Sequence, residues 1–339
     1  MILRSLLLPA LAVALFLAPL SCKGVTEHES TGDYGVTVLD ADDLSVLGSM
    51  SDMSNGQLVV SMGGSSFIVL CSDGKIYHCD SEALAVDSIS SIPTGGGGGF
   101  SDAVKITGSL YVVTGGATVL DISLSDFTVQ EEFAVGSAVA DICASPTGEG
   151  LLYVLDAADG RLREVLTLTN TVQSTYGLDY DNPVAVDGFL DSPASLAIGY
   201  DDTEGSMTFM DLEVGYEMRF ATVKPYSCGG VRCYPSDSLV YAIRPIPGGD
   251  GYYSMFQGWG VWLTPRSMQL DGSPVDLALD PDGSFSWVLT SLGGGEGKVY
   301  RVDSDSISYG ITHQVELEGL PMDITSHAGG EKLLVLTVQ

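Results

Sequence analysis

The sequence has little positive charge, few histidines and no long segment with apolar residues at helical spacing. Its 14 Lys and Arg stand against 44 Asp and Glu, a formal charge of −30. Such a surface repels phosphate backbones, and nucleic-acid binding rests on Lys and Arg neutralising them, so nucleic acid is excluded as a partner. The four histidines, His28, His78, His313 and His327, are scattered, and none has a neighbour at metal-ligand spacing. No Walker A, HExxH, GxSxG or CxxC pattern occurs, so the usual signatures of phosphate binding, zinc hydrolysis, serine hydrolysis and dithiol redox work are missing. The lack of helical periodicity removes helix bundles and alternating βαβ folds. What remains is 42 glycines punctuating short apolar runs in 339 residues, which reads as all-β.

The N-terminus, "MILRSLLLPALAVALFLAPLSC", carries one early positive charge at Arg4, an apolar run from Leu6 to Leu20 and small Ser21 before Cys22. That is the layout of an export signal, and the run, interrupted by Pro9 and Pro19, falls short of the roughly 20 apolar residues of a membrane span. It resembles a bacterial lipoprotein signal, with Pro19 where that family's signal usually has Leu three positions before the cysteine. The resemblance implies that Cys22 becomes the lipid-modified first residue, anchoring a soluble body to the cell envelope. The chain then divides into a signal peptide (1–21), a polar tether (22–33) and one domain (34–339). Lys23, in place of an Asp after the cysteine, favours the outer membrane by the same resemblance, with the body on its periplasmic or cell-surface face. Loss of Arg4 leaves 13 basic and 44 acidic residues, 13 − 44 = −31, a charge that reads as solubility or life in a salty medium, with a cation-binding surface as the alternative.

Internal repetition is the strongest signal in the rest of the chain. An apolar strand ending in Asp, a polar turn and a second strand recur as "GVTVLDADD" with Asp40, "GKIYHCDSE" with Asp80, "GATVLDISL" with Asp121, "SMTFMDLEV" with Asp211 and "GKVYRVDSD" with Asp303. The spacings of 40, 41, 90 and 92 residues are one period or two, and degenerate copies fill the long gaps: "GRLREVLTL" with Glu164 and "GVWLTPRSM" with Thr264. These aspartates read as turn residues accepting backbone hydrogen bonds. A second pattern interleaves with the first. "SAVADICASPTGEGLLYVLD", "SPVDLALDPDGSFSWVLT" and "LPMDITSHAGGEKLLVLTV" are each a strand, a Gly, Asp or Pro turn and a more apolar strand. Four strands per 40 to 50 residues is the signature of a β-propeller. The chain opens on the last two strands of a blade and ends on the first two, so the N-terminal strands are expected to pair with the C-terminal ones in one shared blade. With full units at 56–93, 100–136, 138–178, 182–225, 229–270 and 273–317, this predicts a closed ring of seven four-stranded blades.

The repeat resembles the YVTN family of 40-residue propeller repeats, above all in "SPVDLALDPDGSFSWVLTSLGGGEGKVYRVD", residues 273–303. That resemblance implies a propeller and a binding or scaffolding tendency and carries over no catalytic residues. The expected function is a non-enzymatic, membrane-anchored binding module for a protein or saccharide of the envelope, monomeric and touching the membrane only through its lipid. The competing reading is a lactonase-like, metal-dependent hydrolase with its site at the channel mouth.

Several residues are candidate sites. Asp102, Asp141, Asp276 and Asp323 lie near the start of expected innermost strands, where converging carboxylates either bond neighbouring amides or hold a hard cation such as Ca²⁺, with Arg232 as a counter-charge. "CGGVRC" suggests a Cys228–Cys233 disulfide across a Gly-Gly bend. Symmetric pairing about Asp73 and Gly74 sets Cys71 opposite Ile76. Trp259 and Trp262 in "GYYSMFQGWGVW" are either blade packing or a ligand platform, and Gly95–Gly99, followed by no helix signal, reads as a loop between blades.

Overall fold

A computed structural model describes residues 33–93, 99–189, 194–201, 206–213, 215–222, 227–234, 239–246, 249–257, 266–304 and 309–339, with the backbone alone for 216–222 and 257. The described residues form seven four-stranded antiparallel sheets arranged as blades of one ring. Blade 1 is shared between the chain ends, in the order β2 (Val46–Met53), β1 (Tyr34–Asp40), β28 (Lys332–Val338), β27 (Leu320–His327). The strand β1 meets β28 in unbroken register, from Tyr34 opposite Val338 to Asp40 opposite Lys332. The expected closure is therefore the one observed. Blades 2 to 7 follow in chain order, and their innermost strands are β3 (Gly56–Gly63), β7 (Phe100–Ile106), β11 (Val139–Ala144), β15 (Pro183–Phe189), β19 (Gly230–Cys233) and β23 (Ser273–Leu279).

Position within a blade explains the composition of each strand. The second strands are apolar without alternation: "SFIVLC", "SLYVVT" and "LLYVLD" in β4 (Ser66–Cys71), β8 (Ser109–Thr114) and β12 (Leu151–Asp156) are buried on both faces because a neighbouring blade covers each. The outermost strands, such as "VQEEFA" in β10 (Val129–Ala134), have only one neighbour strand and are largely exposed. Apolar clusters fill the seams. Val36, Val38, Leu334 and Leu336 of blade 1 pack on Val59, Phe67 and Val69 of blade 2, while Leu39, Leu333 and Val335 pack on Trp287 and Leu289 of blade 7. The Trp287 indole, 1 % exposed, donates to the Ala41 carbonyl at 3.1 Å.

Two local expectations need correction. Leu70, not Cys71, stands opposite Ile76, because Ser72, Asp73 and Gly74 make a three-residue turn with Gly74 at φ 83° and its N–H on the Cys71 carbonyl. The repeat aspartates also divide. Asp40 takes the Asp42 and Asp43 amides, Asp80 those of Glu82 and Ala83, and Asp211 that of Glu213, as turn residues do. Asp121 does not. Its strand, β9 (Thr118–Ser123), runs two residues further, and the turn is made by Ser123 and Asp126 while Asp121 is buried.

At the seam between blades 1 and 2, His327 is 1 % exposed, with Nδ1 on the Ser61 hydroxyl at 2.9 Å and Nε2 on the Ser81 hydroxyl at 3.0 Å. Burial, the largest influence, lowers its pKa against the opposing pull of the Ser65 backbone, Asp80 and Glu82; Lys332 acts with burial. An unfolded histidine protonates near 6.5, so stability is intact above that pH and is lost as pH falls below it, by up to about 1.4 kcal/mol per pH unit. Melting temperatures measured from pH 7.5 to 5.5 are expected to fall in the wild type and to fall less in His327→Asn. An equal fall in both would mean that the folded imidazole accepts its proton freely.

Candidate functional site: the central channel

The seven innermost strands enclose a cavity of about 490 Å³, lined among others by Asp102, Asp187, Asp276, Asp323 and Arg232. A break in register recurs near the start of these strands, between Phe100 and Asp102, Val139 and Asp141, Pro274 and Asp276, and Pro321 and Asp323. An extra residue at such a bulge re-aims the side chain that follows, here sideways toward the next blade. Asp102 Oδ2 accepts the Ile142 amide at 2.9 Å, Asp141 Oδ2 that of Val186 at 2.8 Å, and Asp323 Oδ2 that of Val59 at 2.7 Å. The same contact from Asp276 to Ile324 is longer, 3.4 Å. Each carboxylate thus joins its own inner strand to the following one.

Three of the four sequence-predicted aspartates, Asp102, Asp276 and Asp323, line this channel, while Asp141 is buried at the same strand position without lining it, and the structure does not gather the four into a ligand set. Among the described residues no three His, Cys, Asp or Glu side chains come together as a metal site. The alternative weighed for them, bonding of a neighbouring amide, is what the geometry shows. A fifth carboxylate escaped the sequence reading. Asp187 lies two residues past the bulge of β15, on the same strand face, and its Oδ2 accepts the Cys233 amide at 2.7 Å. The period-two alternation of "PVAVDGF" was the signal that could have found it.

Two blades depart from the pattern. In β3 the slot holds Leu58, and Gln57 Oε1 instead takes the Phe100 amide of the next blade. In β19 it holds Arg232, whose Nη2 lies 3.7 Å from Asp276 Oδ1. Burial alone would weaken the hold of the Arg232 guanidinium on its proton, yet Asp276, Asp141, Asp102 and Asp187 raise its pKa overall. Burial raises the pKa of Asp187, with Arg232 opposing. Arg232, 31 % exposed to the channel, is the one basic side chain lining it among the described residues.

The expected Cys228–Cys233 disulfide is not formed: both thiols are free and buried. Cys228 precedes the inner strand Gly230–Cys233, and that extended strand carries Cys233 away from the Gly-Gly bend. Cys143 and Cys233 line the channel, and burial first, then Asp187, pushes both thiols well above their ordinary pKa, so neither is a ready thiolate. Burial also pushes Cys71 and Cys79 up to about 12. Cys22, Trp259 and Trp262 lie outside the described residues.

Removing Arg232 tests the balance of the ring. Arg232→Leu is expected to cost about 1–3 kcal/mol at pH 7.5, a partly buried pair discounted for its exposure. A raised carboxyl pKa such as that of Asp187 favours the folded state most at low pH and loses that advantage as pH rises. The deficit of the variant in chemical denaturation should therefore narrow toward pH 4. A deficit independent of pH would assign Arg232 to packing alone.

No protein-family model and no characterised protein matches the chain by sequence. Solved structures do match it in shape. A Kuenenia stuttgartiensis hydrazine synthase chain superposes with a TM-score of 0.67 at 13 % identity, covering 85 % of this chain and 96 % of that one. The WD40 repeats of RRP9 give 0.69 at 8 %, covering 89 % and 98 %, and the Cps50 (Swd1) propeller domain of Myceliophteria thermophila 0.64 at 12 %, covering 85 % and 98 %. At such identities the likeness is one of fold, and the fold is the seven-bladed β-propeller.

Proposed function

We propose that this chain is a lipid-anchored, extracytoplasmic propeller that binds or scaffolds a protein or saccharide of the cell envelope rather than transforming it. The observation that carries the reading is the commitment of the inner-strand carboxylates: all five take backbone amides of the next blade, and one also meets Arg232. A ring built in this way holds blades in place and leaves recognition to the loops of the two faces. The propeller shape shared with WD40-repeat structures supports a binding role, and the wording of residues 273–303 supports descent from a YVTN-type repeat.

Topology adds an orientation. Successive strands alternate in direction, so Tyr34 opens β1 at the face where outermost strands link to the next blade, next to Val338. A tether from Cys22 would leave from that face and turn it toward the bilayer. The opposite face, with the β1–β2 and equivalent turns, would then meet the partner.

Mass spectrometry of the mature N-terminus tests the anchor. The expected result is a chain beginning at Cys22 with added diacylglyceryl mass, and release of Cys22→Ser from membranes; an unmodified terminus overturns it. For the binding reading, purified domain is screened for lactone and ester hydrolysis. Turnover that disappears in Asp187→Asn while the melting transition persists would replace it with the hydrolase.

A further inference from the structure

The seam between blades 3 and 4 holds a second group of acids that the channel does not use. Asp121 stands opposite Tyr111 of β8 on one side and Glu131 of β10 on the other, so the three form a row across blade 3. From blade 4, Asn170 reaches over from the turn between β13 (Arg161–Leu166) and β14 (Thr171–Gly177). Its Nδ2 donates to Asp121 Oδ2 at 3.0 Å and to Glu131 Oε2 at 2.9 Å, which uses both amide hydrogens. Two carboxylates on directly opposed residues repel each other, and one neutral amide bridges them.

Two oxygens are left over. Asp121 is 5 % exposed, and its Oδ1 is buried without a hydrogen-bond partner, as is Asn170 Oδ1. A buried acceptor with nothing to accept from costs the full desolvation of that group. Blade 4 shows the contrast at the corresponding place. There Glu164, opposite Tyr153, accepts from the Tyr153 hydroxyl at 3.2 Å and the Tyr176 hydroxyl at 3.4 Å. In blade 3 the Tyr111 hydroxyl donates to the Thr167 carbonyl at 3.2 Å. Burial first and the Asp121 charge second push that phenol up to about 12, so it stays neutral beside the carboxylate.

We propose that Asp121, Glu131 and Asn170 bind Ca²⁺ at this seam. The donors are all oxygen, two of them charged, which selects a hard cation over zinc or copper. Asp121 Oδ1 and Asn170 Oδ1 supply the orphaned lone pairs, and Glu131 supplies the second negative charge. The ion would satisfy both oxygens, cancel the repulsion between the carboxylates and tie blade 3 to blade 4. Because neither the channel nor the anchor takes part, the site stands or falls independently of the proposed function.

The test uses the mature chain freed of metal with a chelator, and Tb³⁺ as a luminescent probe excited through Tyr111. Wild type is expected to show saturable Tb³⁺ emission that Ca²⁺ displaces, and Ca²⁺ alone should raise the melting temperature by several degrees. Asp121→Asn and Asn170→Ala should lose both responses. Tyr111→Phe should lose the emission yet keep the Ca²⁺-induced rise, and Glu316→Gln, removing an exposed acid elsewhere, should keep both. If wild type gains no thermal stability from Ca²⁺, or gains it equally from NaCl, a proton or water fills the site and the proposal is overturned. It is overturned equally if folded Asp121→Asn and Asn170→Ala respond like wild type.

Discussion

The pairing of β1 with β28 joins residues about 300 positions apart in sequence, and every seam of the ring presupposes it. Closing a flexible loop of that length costs about 5 kcal/mol on the logarithmic scaling, before the constant term. Against it stand seven side chains from the two strands, Val36, Val38, Leu39 and Leu333 to Leu336, each with no exposed surface. At about 1.5–3 kcal/mol for each buried side chain, their burial amounts to roughly 10–20 kcal/mol as an upper bound. Apolar burial therefore outweighs closure, and it does so because blade 1 is covered on both faces. Without β1, blade 1 would lose its two outer strands, and the faces of β3 and β23 beside it would lose part of their cover.

Buried carboxylates complete what apolar packing cannot specify. Neighbouring blades do not exchange strand hydrogen bonds, so the amides at the inner edge of each sheet need another acceptor. The aspartates behind each bulge provide one and fix the height of a blade against its neighbour. The same device recurs at the seam of blades 3 and 4, where Asp156, with no exposed surface, takes the Ser137 amide at 2.7 Å and the Ala138 amide at 3.1 Å and pairs with Arg163 at 2.8 Å. Amides and Arg163 together hold its pKa below the usual carboxylate range, although burial, the largest single influence, acts against them. Arg232 is the exception that the ring tolerates, because the charges of Asp276, Asp141, Asp102 and Asp187 act on it.

The contrast between surface and seam gives the negative charge two meanings. Most acidic side chains among the described residues stand exposed to water. A minority are buried, and each of these must find donors. Where donors are amides the carboxylate acts as a joint between blades. Where they run short, as at Asp121, the same chemistry leaves oxygens facing nothing.

The sequence by itself determined the architecture. Blade limits, strand order and the shared blade are encoded locally, in alternating runs such as "GVTVLD" and in the turn residues between them, because a hairpin is specified by neighbours in the chain. It also placed Asp102, Asp141, Asp276 and Asp323 on innermost strands, three of them lining the channel, since their position in the repeat fixes their radius. What those side chains touch was decided only by the tertiary structure. A bulge turns each one toward an amide some forty residues away or more, and no local pattern says whether four carboxylates meet each other or four different partners. The free state of Cys228 and Cys233, the role of Asp187 two residues out of step, and the departure of Asp121 from the turn have the same physical cause. A shift of one or two positions along a strand changes the face or the neighbour that a side chain meets, and only the packed ring shows which neighbour that is.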